Sequence, residues 1–349
     1  MSRSDPLSAI DLASPAALLR LVTGYWLSQA VHVAAQLGIA DHLRDGPKAV
    51  EELASETGAH APSLARLLRA LTAFDICRED GPGRFVLTPL GTCLRADAPN
   101  SVRDAVLMYG GENVWRSWGD LLHCVQTGES AMSHLFGAPN PFDYYGQHPD
   151  LRATMGAGFA AVARMESYAV VAAYDFSDRG VIVDVGGGQG QLLATILQAH
   201  PAVRGILFDL PAVVEHARPL LERAGVADRC ATEGGDAFTE IPSGGDTYIL
   251  SRVIHDWDDE HALAILRNCQ RAMRPGAALL MVEAVLPDRV APSTTAQHAT
   301  LADLNMLVRT GGRERTSEEY AILLHAAGFI LERIIPTALS YSMILGART

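Results

Sequence analysis

The chain has 349 residues, enough for two domains at roughly 100–200 residues each. At 48% hydrophobic and 19% charged it can bury a sizeable core, and its net charge of −12 argues against an extended nucleic-acid footprint. Its five cysteines (Cys77, Cys93, Cys124, Cys230, Cys269) are odd in number and widely spaced, without a C-x-x-C pair. That disfavours a disulfide framework or a structural zinc site and fits a reducing cytosol. No basic stretch leads into an apolar one near the start, where Asp5 and Asp11 stand, and no apolar run reaches the ~18 residues of a membrane span. The expectation is a cytoplasmic protein with neither signal peptide nor membrane contact.

Residues 15–43 place Leu18, Leu19, Val22, Trp26, Val33 and Leu37 on more than one face of a helix. A helix apolar nearly all round is buried in a core or against a partner. Residues 48–80 read as helix, turn, helix. Ala49, Leu53 and Ala54 face inward on the first helix; Pro62 starts the second, striped by Leu64, Leu67, Leu68 and Leu71. Gly81-Pro82-Gly83 between two strand-like runs predicts a hairpin or wing.

Helix–turn–helix plus wing is the outline of a DNA-binding module, and a ligand-sensing regulator is one reading. A phosphate-reading face needs clustered Lys/Arg. Here Lys48, Arg66 and Arg69 are offset by Glu51, Glu52 and Glu56. The module therefore reads as structural, a dimer interface. Residues 101–175 look helical and carry Met108, Tyr109, Trp115, Trp118, Phe136, Phe142, Tyr144, Tyr145, Met155 and Phe159. Such density suits a core or a pocket for a flat aromatic ligand, and both readings stand.

From Val181 strands and helices alternate. Strands are predicted at 181–186, 203–210, 230–236, 246–255 and 277–286, with helices at 191–200, 212–225 and 259–273. This specifies an α/β, Rossmann-like doubly wound parallel sheet with its ligand at the carboxyl ends of the strands. Three segments result: a winged-helix-like dimerisation domain over 1–100, a helical linker and acceptor-pocket region over 101–175, and a nucleotide-type domain over 176–349.

The first of these strands runs into Asp184-Val185-Gly186-Gly187-Gly188-Gln189-Gly190. Neither glycine frame gives G-x-G-x-x-G, since the third position falls on Gln191 or Leu193, and no Lys-Ser/Thr follows. A dinucleotide or P-loop reading loses ground. D-x-G-x-G-x-G instead resembles the first motif of S-adenosylmethionine-dependent methyltransferases. Asp209 ends the second strand, placed to accept both ribose hydroxyls. Asp236 follows the third, where it can accept an adenine amino group, with Phe238 packing on the purine. His255 closes the fourth. The run His255-Asp256-Trp257-Asp258-Asp259-Glu260-His261 also hints at a metal, but Asp258 and Asp259 suit the start of the next helix and His261 its surface.

"DVGGGQG", "FDLP", "GGDAF", "RVIHDWDDEHALAILRNCQRAMRPG", "VEAVLP" and "GGRERT" occur in the order and approximate spacing of the plant caffeic-acid-type O-methyltransferases, whose bacterial relatives modify aromatic natural products. The resemblance covers about residues 15–345. It implies S-adenosyl-L-methionine as cofactor and a homodimer formed through the N-terminal domain. It implies His255 as general base, with Glu283 and Glu314 orienting and polarising it, and no metal. Cofactor contacts carried over are Asp184, Gly186, Gly188, Gly190, Asp209, Leu210, Asp236, Ala237, Phe238, Ser251, Arg252, Asp256 and Trp257. Met155, Phe159, Asp303, Asn305 and Met306 fall near the acceptor. Met155 and Phe159 stand in the opposite order to that frequent in the family. A partner's Tyr25 or Trp26 is a candidate to line the pocket in trans.

The residue types suit the chemistry. Proton transfer from a phenol, pKa near ~10, to a histidine near ~6.5 costs about 3.5 units, roughly 5 kcal/mol. A carboxylate beside the imidazole narrows that gap. An aliphatic alcohol, taken like water at ~15.7, leaves about 9 units, roughly 12 kcal/mol. The expected reaction is methylation of a phenolic or hydroxyquinone-type aromatic small molecule in secondary metabolism such as antibiotic biosynthesis. An amine or carboxylate acceptor stays open, as does a cofactor-binding relative with another activity such as hydroxylation.

Overall fold

The structure, a computed structural model, describes residues 13–349 apart from residue 140. Asp5 and Asp11, on which the expectation of no signal peptide rests, lie outside the described residues. Among those described, no helix is long and apolar enough to cross a membrane. The chain forms two compact units, one ending at Gly111 and the other running Glu112–Thr349.

The first unit contains α1 (Ala13–Val22), α2 (Gly24–Gln36), α3 (Ile39–His42), β1 (Lys48–Ala49), α4 (Val50–Thr57), α5 (Ala61–Ala73), β2 (Cys77–Glu79), β3 (Arg84–Leu87) and α6 (Arg103–Gly110). The strands form an antiparallel sheet in the order β1-β3-β2, so the expected wing is present. Leu53, Leu68 and Leu71 bury completely with Leu43 and Phe85, as helical spacing predicted. Ala49 does not join the helix: it pairs with Arg84 across the sheet and stands at the N-cap of α4. Leu18, Leu19, Val22 and Trp26 are 61–63% exposed, so within one chain the predicted burial of this helix is not met.

The second unit opens with α7 (Glu112–Gly119), α8 (Leu121–Thr127), α9 (Ala131–Phe136), α10 (Pro141–Gln147) and the long α11 (Pro149–Ala173). Then come β4 (Val181–Val185), α12 (Gln191–Ala199), β5 (Arg204–Asp209), α13 (Pro211–Val214), α14 (Arg218–Arg223), β6 (Cys230–Gly234), β7 (Thr247–Ser251), α15 (Asp259–Ala272) and β8 (Ala278–Leu286). The unit ends with α16 (Thr294–Arg309), β9 (Arg315–Thr316), α17 (Ser317–Ala326), β10 (Phe329–Pro336) and β11 (Tyr341–Arg348).

The sheet order is β10-β11-β8-β7-β4-β5-β6, with β9 beside β8. Strands β4 to β8 run parallel, and β11 pairs antiparallel with both β8 and β10. The sheet is therefore mixed, not wholly parallel as predicted. Its apolar strands bury on both faces: Tyr248–Leu250 of β7 and Leu279–Val282 of β8 are fully covered. Helix 212–225, predicted as one, is two: Pro219 has no N–H to continue α13 and sits in the first turn of α14. From β4 the order runs to β5 and β6 on one side and to β7 and β8 on the other. The crevice between the ends of β4 and β7 is the switch point at which such sheets bind ligands.

Candidate active site

Strand β7 delivers His255 into a 3-10 turn, Ile254–Asp256, where it is 3% exposed. Its Nδ1 lies 3.0 Å from Glu283 Oε2 and 3.0 Å from Glu314 Oε1. Glu283 sits on β8, fully buried, and its Oε1 accepts from the Val253 and Ile254 N–H groups at 3.1 and 2.8 Å. One carboxylate thus ties both the ring and the backbone of its turn. Glu314 leads into β9, and its own N–H donates to Asp303 Oδ1 at 2.9 Å. Burial favours the neutral imidazole, but the two carboxylates outweigh it and hold the His255 pKa well above the ordinary histidine value.

The three side chains offer ligand atoms within 4.8 Å of one another, a spacing that would also admit a cation. The Nδ1 contact with Glu314 Oε1 is a hydrogen bond, and that with Glu283 Oε2 is an ion-pair contact of the same length. Nε2 lies 3.9 Å from Asp256 Oδ1. Burial pushes the Asp256 carboxyl up to about 6, against the pull of His255 and Arg252.

Residues not singled out from sequence hold this turn. Arg315, 1% exposed, donates to the carbonyls of Ile254 and Trp257 at 3.1 and 3.0 Å and to Asp259 Oδ1 at 2.9 and 2.8 Å. Gly312 packs on the same turn so closely that a Cβ would stand 2.1 Å from the His255 carbonyl oxygen. Next to it, the Arg313 N–H bonds that carbonyl at 2.9 Å.

On the other side of the switch point, Gly186, Gly188 and Gly190 hold φ of +69°, +60° and +85°. At Gly186 a side chain would meet Val253 Cγ2 at 2.7 Å, so the glycine lets the loop lie against the His255 segment. Asp209 Oδ2 accepts from Gly188 N–H at 2.8 Å and Oδ1 from Leu210 N–H at 2.7 Å. Burial raises its pKa against these bonds. Asp184 is 1% exposed and neither carboxylate oxygen has a hydrogen-bond partner. Burial, helped by Asp209, pushes it up to about 7.

Asp236 is exposed, and its Oδ1 accepts from Phe238 N–H at 2.9 Å. Phe238 meets Trp257 edge-on, centroids 4.7 Å apart at 88°. The Ala237 carbonyl accepts from buried Asn268 Nδ2 at 2.7 Å, another residue the sequence did not flag. Leu210 is exposed and Ser251, ending β7, half-buried. Arg252 takes φ of +57°, a strained value for a side-chain-bearing residue. Its Nη1 lies 3.7 Å from Glu166 Oε1, and its guanidinium lies over Tyr341 at 5.6 Å.

The family model described as O-methyltransferase domain matches residues 118–330, and that described as O-methyltransferase dimerisation domain matches 19–97. The chain belongs to this O-methyltransferase family. It is 45% identical to the phenazine O-methyltransferase PhzM of Lysobacter antibioticus over 99% of this chain and 98% of that protein. It is 34% identical to the phenazine-1-carboxylate N-methyltransferase of Pseudomonas aeruginosa, over 97% and 98%. Among solved structures, human N-acetylserotonin methyltransferase in complex with SAM matches with a TM-score of 0.89 at 28% identity, covering 100% of this chain and 99% of that one. The protein is a methyltransferase.

In this methyltransferase the acceptor-side candidates divide between two helices. Met155, buried, and Phe159, half-buried, lie a turn apart on α11. Asp303, Asn305 and Met306 lie on α16. Asp303 spends one oxygen on the Glu314 N–H, so it bears on the His255–Glu283–Glu314 cluster. Asn305 Oδ1 accepts from Trp118 Nε1 at 3.0 Å, which fixes its amide. Met306 is 7% exposed. In the dimerisation domain Tyr25 and Trp26 are 48% and 63% exposed.

Proposed function

We propose that this chain is an S-adenosylmethionine-dependent O-methyltransferase that methylates a phenolic or hydroxyquinone-type aromatic small molecule of secondary metabolism, as a homodimer. The observation that carries the reading is the His255 imidazole held through Nδ1 by two buried carboxylates. Held at Nδ1, the ring has Nε2 left to take a proton from the acceptor hydroxyl. Raising the imidazole pKa shrinks the roughly 5 kcal/mol gap to a phenol of pKa near ~10. A base of this kind suits a phenol and is too weak for an aliphatic alcohol.

The residues at the switch point fit the cofactor. The glycine loop takes positive φ at Gly186, Gly188 and Gly190 and is open at Gly188, the buried Asp184 lacks hydrogen-bond partners, and Asp209 and Asp236 present carboxylates at successive strand ends. Asp209 would bind the ribose, Asp236 the adenine, and the Phe238–Trp257 edge contact a purine face. Asp256 and Arg252 would flank the amino-acid moiety, with Gly188, Gly190, Leu210, Ala237 and Ser251 lining the cradle. Bound there, S-adenosylmethionine supplies an electrophilic methyl group. The chain's own work is to orient the acceptor, with Met155, Phe159, Asn305 and Met306, and to accept its proton at His255.

The N-methyltransferase relative keeps a second reading in view. An amine or ring nitrogen presents its lone pair without first losing a proton to a strong base, so a buried His–Glu–Glu cluster would stand idle. His255→Ala separates the two. We expect it to bind S-adenosylhomocysteine with unchanged affinity by calorimetry while turnover on a panel of hydroxyarenes falls about 100- to 10,000-fold. A variant with near wild-type kcat would remove the base role and favour nitrogen as acceptor.

A further inference from the structure

Arg309, the last residue of α16, is 5% exposed. Its guanidinium donates to the Asn113 carbonyl at 3.1 Å, to Ser117 Oγ at 3.2 Å and to Tyr145 Oη. All three partners are neutral, and no carboxylate pairs with Arg309 among the described residues. Arginine does not escape burial by losing its proton, so a buried guanidinium calls for an anion. The carbonyl end of α16 answers part of that demand.

Two further donors stand in the same place. Asn113 is 8% exposed; its Nδ2 lies beside the Tyr145 hydroxyl without completing a hydrogen bond. Tyr145 is 6% exposed, and with its oxygen receiving from Arg309 the hydroxyl keeps its own proton to give. The cluster holds more donors than acceptors and a net positive charge, in a chain of net charge −12.

The cluster adjoins the base. Beyond Arg309 the chain runs straight into Gly312, packed on the His255 backbone, and Arg313, which bonds the His255 carbonyl. One turn before Arg309 on α16, Asn305 is held by Trp118, which shares α7 with Asn113 and Ser117. The Tyr145 hydroxyl feels the Asp256 carboxylate beside His255: burial chiefly, and that charge in addition, raise its pKa against Arg309 and Asn113, which lower it. An anionic acceptor entering beside Asp256, Glu283 and Glu314 would meet repulsion unless a fixed cation answered it.

We propose that Arg309, Tyr145 and Asn113 form a subsite for a carboxylate carried on the same aromatic scaffold as the reacting hydroxyl. The acceptor class is then a hydroxyarene carboxylate, a deepening that rests on the aromatic-acceptor reading above. Tyr145 and Asn113 donate to the carboxylate oxygens and Arg309 supplies the charge.

The test uses the full chain saturated with S-adenosylhomocysteine. It is titrated by calorimetry with hydroxybenzoates and hydroxynaphthoates carrying the carboxyl at successive ring positions, each paired with its carboxamide. At least one carboxylate should bind about tenfold or more tighter than its carboxamide. Arg309→Gln should bring that ratio near one with S-adenosylhomocysteine affinity kept. Tyr145→Phe, which retains the ring, should lower the ratio even if Arg309→Gln fails to fold. Equal binding of carboxylate and carboxamide by the wild type overturns the subsite, as does a ratio unchanged in both variants; a helix-end role alone predicts that equal binding. Neutral phenols that turn over without a carboxylate preference sink the subsite and leave the aromatic acceptor standing. If no hydroxyarene binds or turns over, both readings fall.

Discussion

Arg315 reaches Asp259 twice through one carboxylate oxygen, at 2.9 and 2.8 Å, across the turn that carries His255. Its guanidinium also gathers the carbonyls of Ile254 and Trp257, the residues just before and two beyond His255. A planar five-donor fork meets this set and a lysine ammonium does not. Arg315→Lys should therefore lower stability by about 2–4 kcal/mol, read from denaturant midpoints at constant m-value. It should also lower kcat more than it raises the KM for S-adenosylmethionine. A variant with unaltered kcat would show that the turn keeps its shape without this clamp.

Gly312 offers a sharper steric test. A methyl there would lie 2.1 Å from the His255 carbonyl and 2.6 Å from the Trp257 nitrogen, backbone atoms that cannot swing aside. Gly312→Ala should cost about 1–3 kcal/mol of stability as an overpacked site and displace the His255 turn. At Gly188 an added Cβ meets nothing within 4 Å, so Gly188→Ala isolates backbone strain at φ +60° from clash. The two variants compared by thermal melts and by kcat separate these causes.

The strand ends that carry the candidate residues could be read directly because they mark themselves. The apolar run of β4 stops at glycines, β5 at Asp209, and Asp258 announces α15 by capping it, accepting from His261 N–H at 2.9 Å. The clamp residues could not be found this way. Arg315 and Arg309 look like surface charges in sequence, and become buried only through partners far away along the chain, Ile254 and Asn113 among them. The C-terminal hairpin also went unread. Charged Glu332 and Arg333 interrupt β10, where the register shifts between Leu331 and Arg333, so the apolar alternation that advertises a strand is broken.

The pH dependence follows from the sign of the His255 shift. Its pKa is raised, so the ring stays protonated, and unable to accept a proton, to a higher pH than an ordinary histidine. The kcat/KM for a phenol should climb with pH as His255 loses that proton. Glu314→Gln removes one of the raising charges and should move the ascending limb to lower pH while lowering the plateau. The same linkage stabilises the fold below the unfolded value near ~6.5 and is lost as pH rises through the folded one. Stability of wild type relative to Glu314→Gln should therefore fall across that window. A limb that does not move would detach Glu314 from the base.

The His255, Glu283 and Glu314 cluster makes a further prediction because its spacing would admit a cation. If a proton bridges the ring and the carboxylates, exhaustive chelation followed by elemental analysis should leave turnover of the metal-free protein at the wild-type rate. Activity lost on chelation and restored by one divalent ion would assign the cluster to a metal and end the base mechanism.

The dimer expectation has a surface to stand on. Leu18, Leu19, Leu21, Val22 and Trp26 are all more than 60% exposed on α1 and α2 of the dimerisation domain, a contiguous apolar run of a kind that solvent rarely meets. Replacing Leu21 and Trp26 by Glu should place charge where a partner's apolar side chains would lie, and the protein should sediment as a monomer. Arg66→Glu, an exposed change on α5, serves as the control and should leave the mass unchanged. If Tyr25 or Trp26 of the partner enters the acceptor pocket, the monomer should bind S-adenosylhomocysteine normally and show a raised acceptor KM. A monomer with full activity would confine these helices to assembly, and a wild type that is already monomeric would leave the exposed run to another partner.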